Sequence, residues 1–219
     1  VTSYSRFLLH ISRRLSHDWR RPHWRILYYH EVPPERRSAF ANQLDWFSRQ
    51  FQWCTISEAA AKVFEGTCDA PLMSVTFDDA DRTVADVVPV LEERRIRACV
   101  YVVPTYVSRR WSYRDPVPRP IMSWKELRDL VAAGYEIGSH TYTHALLTRC
   151  SPQRIEQEVR WSRQEMEQRM GIQVEHFAYP WGQYDLRTEN CMRSLVGSAT
   201  LATTHRGGMD QRSVPFHLC

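Results

Sequence analysis

The chain has 219 residues and a formal net charge of +4, with no basic block interleaved with aromatics, so nucleic acid is excluded as a partner. That length suits one domain with ample core, and barrel-like α/β folds often run undivided at such sizes. No apolar run approaches the ~20 residues needed to cross a bilayer, and six cysteines without a CxxC pair read as reduced core thiols. The cysteine usage favours a cytoplasmic or membrane-peripheral setting.

Residues 1–24 read as a basic amphipathic segment, with Leu8, Leu9, Ile11 and Leu15 among Arg6, Arg13, Arg14, Arg20 and Arg21. Its apolar stretch is too short, and too broken by His10 and Ser12, for a signal peptide. It offers either a peripheral membrane contact or a surface that packs on the domain spanning 25–219.

A strand runs from Arg25 to His30, Pro33-Pro34 break the chain, and Phe40, Leu44 and Phe47 space a helix. Trp53–Ile56 forms a brief strand, and Ser57 caps a helix that ends at Gly66. Strand 74–77, helix 82–95 and strand 98–103 follow, and the proline-rich tract 114–120 is a loop. Ser123 caps a helix, with Glu126 three residues later and Gly134 at its exit. Strand 135–138 leads into a turn of helix carrying His140 and His144. Ser151-Pro152 opens a long helix to about Met170, stopped by Gly171. Strand 177–179, a helix over about 185–196 and a strand over 199–202 complete the series. Such alternation predicts a parallel sheet, open or closed into a barrel.

Two stretches carry chemistry. Ser74-Val75-Thr76-Phe77 ends in Asp78-Asp79, adjacent carboxylates that point in opposite directions and repel each other unless a cation or hydrogen bonds absorb the charge. His140 and His144 at i, i+4 can share one metal ion. Read separately, these are an acidic turn and a solvated histidine pair. Together, one Asp and two His make a set suited to a divalent ion with open positions, leaving the other Asp as a base.

Thr-Phe-Asp-Asp at 76–79, Ser-His-Thr-Tyr-Thr-His at 139–144 and Phe-Ala-Tyr-Pro-Trp-Gly at 177–182 fall in the order and spacing of one family. In these motifs the chain resembles the polysaccharide deacetylases, the NodB-homology or carbohydrate esterase family 4 domain, over roughly residues 25–207. The resemblance implies a distorted (β/α)7 barrel whose site lies at the C-terminal strand ends, where His30, Asp78, Asp79, His140 and Trp181 all fall. It also implies that Asp78 is the general base and that Asp79, His140 and His144 bind a divalent metal, Zn²⁺ first, with Co²⁺ or Ni²⁺ as substitutes. Tyr179, Pro180 and Trp181 would wall the acetyl pocket, the Trp181 N–H helping to hold the oxyanion.

The chain departs from the family pattern at three places. Ala80 replaces a usual Gly, which matters if that position needs positive φ. Ala178 replaces a usual Arg that steadies the base. The late Leu-x-His motif of the catalytic acid is not matched by Phe216-His217-Leu218. Leu27-Tyr28-Tyr29-His30 instead resembles that motif moved to the front, as in the poly-N-acetylglucosamine deacetylase-like subgroup, so His30 is the candidate acid and His205 a fallback. The implied function is metal-dependent removal of N-acetyl groups from an N-acetylglucosamine-type or cell-wall glycan, with release of acetate. An amidase acting on a small non-sugar C–N bond and a glycan-binding pseudoenzyme are the alternatives.

Overall fold

The structure, a computed structural model, describes residues 23–111, 118–193, 195, 198–200 and 217–218. The amphipathic segment before residue 23, the centre of the proline-rich tract, residues 201–202 of the expected last strand and His205 lie outside the described residues.

Seven strands follow one another in a curled parallel sheet: β1 (Trp24–Tyr29), β3 (Leu72–Phe77), β4 (Cys99–Val102), β7 (Glu136–Ser139), β8 (His176–Ala178), β9 (Ser198–Thr200) and β10 (His217–Leu218). Every pairing along this path is parallel. β2 (Gln52–Trp53) pairs with the start of β3, and β5 (Arg110–Trp111) with β6 (Arg119–Pro120) makes a separate antiparallel hairpin. Parallel neighbours need crossovers. These are supplied by α1 (Arg37–Ser48), α2 (Ile56–Phe64), α3 (Thr83–Glu93), α4 (Trp124–Ala132), α5 (Pro152–Met170) and α6 (Leu186–Met192). The fold is the expected α/β barrel in its distorted form.

β3 is buried at all six positions, as a strand covered on both faces must be. On its outer face Val75 and Phe77 join Val100, Val102 and Ile137 in the main core, which Phe40 and Leu44 of α1, Val84, Val87 and Leu91 of α3 and Leu127 and Leu130 of α4 complete. The inner face holds a second cluster of Trp24, Leu72, Cys99, Tyr101 and Ala178, against which α2 lays Ile56, Ala59 and Val63. The described cysteines are all free.

Local signals agree with the sequence in most places and differ in four. The α1 stripe Phe40, Leu44 and Phe47 is buried, and Ser123 with Glu126 forms a reciprocal capping box. The cap of α2 is Thr55 and not Ser57, because Glu58 stands three residues after Thr55 and closes the box with it. The Ser57 hydroxyl instead meets His176 Nε2 at 2.9 Å. The strand expected over 53–56 therefore ends at Trp53. β10, at His217–Leu218, was not anticipated. His140 and His144 do not sit on a helical turn: residues 140–146 are irregular, with Thr141 at φ 63° and His144 at φ 57°.

Candidate metal and catalytic site

Side chains alternate along a strand, so one face of each strand points into the barrel. Register places Trp24, Ile26 and Tyr28 beside Leu72, Ser74 and Thr76, and Tyr101 beside Gly138. Continuing each row by two residues from Tyr28, Thr76 and Gly138, one residue past each strand end, brings His30, Asp78 and His140 to the same inner rim. The ladders themselves continue that far, through Asp78 N–H to Tyr29 O at 2.8 Å and His140 N–H to Val102 O at 2.9 Å. Gly138 is required beneath His140, because a Cβ there would stand 2.4 Å from the Tyr101 ring.

Asp79 then turns into the left-handed region at φ 64°, and Ala80 follows at φ 55°. The family's glycine position does need positive φ, and Ala80 adopts it at a cost of about 1 kcal/mol. Seven described non-glycine residues have positive φ. Five of them, Asp79, Ala80, Thr141, His144 and Trp181, lie at or beside this rim. Such strain persists only where surrounding structure enforces it, and it concentrates at functional sites.

The backbone turn swings Asp79 toward the two histidines. One ligand atom from each of Asp79, His140 and His144 lies within 4.8 Å of the others. Asp79 Oδ1 is buried without a hydrogen-bond partner, 3.5 Å from His144 Nε2 and 3.9 Å from His140 Nε2. Those separations are too long for hydrogen bonds and near the ~3.4 Å expected between ligands of a tetrahedral ion with bonds of about 2.0–2.1 Å. His140 Nδ1 donates to Ala178 O at 2.9 Å, which leaves its Nε2 lone pair facing the pocket. The donor set therefore fits a divalent cation.

Without a cation the electrostatics are unfavourable. Burial, then the charge of Asp81, pushes Asp79 up to about 7. Burial and Asp79 raise Asp78 well above the carboxylate range. Burial and His30 lower His144 to about 4, while burial, His144 and His30 outweigh the Ala178 bond in lowering His140. A buried carboxylate beside two neutral imidazoles is the state a bound cation relieves.

His30 stands at the mouth of a cleft that it lines with Asp79, Asp81, Arg119 and Ile121. The residue is exposed to solvent, yet burial within the cleft, then Arg119, lowers its pKa against the pull of Asp81. Past the end of β8, Trp181 sits at φ 67°, its ring 4.9 Å from that of His144, and Tyr179 and Pro180 before it are buried. Ala178 is buried among Cys99, Tyr101 and Trp24, so this position serves the site through its carbonyl and supplies no cation to Asp78.

Sequence reasoning missed three groups here. Asp81 is buried and accepts from Thr83 N and Oγ1 at 2.8 and 2.6 Å, and Arg119 bridges it to Glu31. The Asp-x-Thr spacing was a legible turn signal, but Arg119 reaches the site from the distant β5–β6 hairpin. Glu158 of α5, fully buried, was read only as part of a helix.

The polysaccharide deacetylase family model matches residues 65–196. A chitooligosaccharide deacetylase of Bradyrhizobium sp. (strain ANU 289) is 36% identical over 87 residues, 39% of this chain and 34% of that protein. The chain spans between 34% and 52% of the length of the chitooligosaccharide deacetylases it matches. The structure of IcaB from Ammonifex degensii superposes with a TM-score of 0.72 at 26% identity, covering 83% of this chain and 84% of that one. The Streptococcus pyogenes deacetylase PplD, solved with acetate, shares the fold at TM-score 0.74 and 19% identity, over 90% of each chain. With more than half its length matched by the family model and its barrel shared with these structures, the chain belongs to the polysaccharide deacetylase family.

Proposed function

We propose that residues 25–219 form a metal-dependent N-deacetylase that hydrolyses the acetamide of an N-acetylglucosamine-type glycan and releases acetate. The observation that carries this reading is Asp79 Oδ1, buried without a hydrogen-bond partner and faced by the Nε2 atoms of His140 and His144. The nitrogen-rich set favours zinc, with cobalt or nickel able to substitute. A cation bound there would polarise the acetyl carbonyl and acidify a water molecule.

The chain's own groups then divide the work. Asp78, on the inner face and turned away from Asp79, takes the proton of the attacking water. The Trp181 backbone N–H, beside the Tyr179-Pro180 wall, donates to the oxyanion as it forms. His30, which lines the cleft with Asp79, protonates the departing amine as the C–N bond breaks. Solvent access at the cleft mouth lets it recover a proton between turnovers.

The test is elemental analysis of the purified protein and of His140→Ala, followed by acetate release from N-acetylglucosamine oligomers against small non-sugar amides. Zinc, cobalt or nickel near one equivalent, lost in the variant, with turnover of the oligomers supports the assignment. Turnover of the small amides alone would move it to the amidase reading. Ala178 in place of an arginine motivates the second reading, a glycan-binding protein of little activity. Metal retention without turnover on any acetylated glycan would favour that one.

A further inference from the structure

We infer that Glu158 of α5 is a positioning residue that fixes the second histidine of the metal set by clamping the loop between His140 and His144; this rests on the metal-dependent reading above. Glu158 is fully buried, an unusual place for a carboxylate. Its Oε2 accepts from Tyr142 N at 2.9 Å and Thr143 N at 2.8 Å, and its Oε1 accepts from Thr143 Oγ1 at 2.7 Å and from Arg154. Two consecutive loop amides thus end on one side chain of a rigid helix.

The two residues flanking those amides, Thr141 and His144, are the ones held at positive φ. Neither is a glycine, so the loop spends strain that some interaction must offset. One further bond ties the loop to a neighbouring element and another closes it on itself. Tyr142 O accepts from Thr105 Oγ1 at 2.9 Å, and Ala145 N donates to Thr141 Oγ1 at 3.1 Å. His140 does not depend on the clamp, because its amide bonds to Val102 O and its ring bonds to Ala178 O. His144 follows the clamped amides of Tyr142 and Thr143 directly and lies outside the strands, so the clamp acts on His144.

This selectivity gives the test. Zinc dissociation constants would be measured by chelator competition on wild type, Glu158→Ala, Glu158→Gln, His144→Ala and the Glu158→Ala/His144→Ala double variant, with visible spectra of the cobalt forms. The expected result is a zinc Kd raised tenfold or more by Glu158→Ala, and a cobalt spectrum altered toward that of His144→Ala. The double variant binds zinc as His144→Ala alone does, since removing the clamp matters only while His144 is a ligand. Val159→Ala, a core truncation on the next residue of α5, lowers the melting temperature without moving either readout. Should Glu158→Ala fail to fold, Glu158→Gln decides: it sets an amide NH₂ against Arg154 and raises Kd at least threefold. Folded Glu158 variants with wild-type Kd and spectrum, or additive losses in the double variant, overturn the clamp. A wild type that binds neither metal overturns the metal-dependent reading itself, a separate outcome.

Discussion

Asp79 makes the conflict between stability and metal binding measurable. Without metal, burial and Asp81 raise its carboxyl from 3.8 to about 7. A raised carboxyl means that the folded chain binds more protons than the unfolded chain between those values, so metal-free stability falls as pH rises through that window. The full interval corresponds to about 4 kcal/mol, and the part of it between pH 5 and pH 8 to about 3 kcal/mol. Asp79→Asn keeps the shape and removes the charge. Denaturant unfolding of both metal-free proteins at pH 5 and pH 8 should show the variant gaining about 3 kcal/mol on wild type across that change. Adding zinc at pH 8 should stabilise wild type and leave the variant unchanged. Equal pH dependence in the two metal-free proteins, or zinc stabilisation of Asp79→Asn, would refute the assignment of Asp79 as the strained buried ligand.

Three other outcomes follow from the same geometry. Asp78→Asn should retain bound metal and lose about 10²–10⁴-fold in acetate release, as removal of a general base does, read by metal analysis beside turnover. Gly138→Ala would push a methyl to 2.4 Å from the Tyr101 ring and 3.1 Å from His176 O, so unfolding should report a loss of about 1–3 kcal/mol. At the opposite end of the barrel, Glu136 accepts from Ile56 N at 2.8 Å and Ser57 N at 3.0 Å at the start of α2. Burial would raise it, but His176 and Ser57 prevail and hold it at about 2. Its contribution is present above pH 4.5 and lost as pH falls toward 2, so Glu136→Gln should remove about 3 kcal/mol of that acid-dependent loss, measured by denaturant unfolding from pH 6 to pH 2.5.

The strands and helices were legible in the sequence because their signals are local. Phe40, Leu44 and Phe47 recur at helical spacing, Ser123 and Glu126 form a box within one turn, and the β-branched and aromatic run into Phe77 reads as a strand. Asp78, Asp79, His140 and His144 stood out as residue types whose charges need one another, and the strand patterns already put His30 and Asp78 at strand ends; their shared inner face follows from the β1–β3 register. What only the tertiary structure decided depends on groups far apart in the chain. The histidine pair left its expected helix because Glu158, 14 residues beyond His144, takes the amides that a helix would have turned inward. Arg119 joined the cleft across 38 residues from Asp81 through a hairpin that no periodicity announces. Ala80 could be noticed from the sequence as a departure, but its positive φ exists only because the chain must turn Asp79 back toward imidazoles some 60 residues away. Local pattern fixes which residues can form a strand or helix; the direction of a loop is set by distant partners that satisfy its backbone polar groups, and the metal-binding loops of this barrel are of that kind.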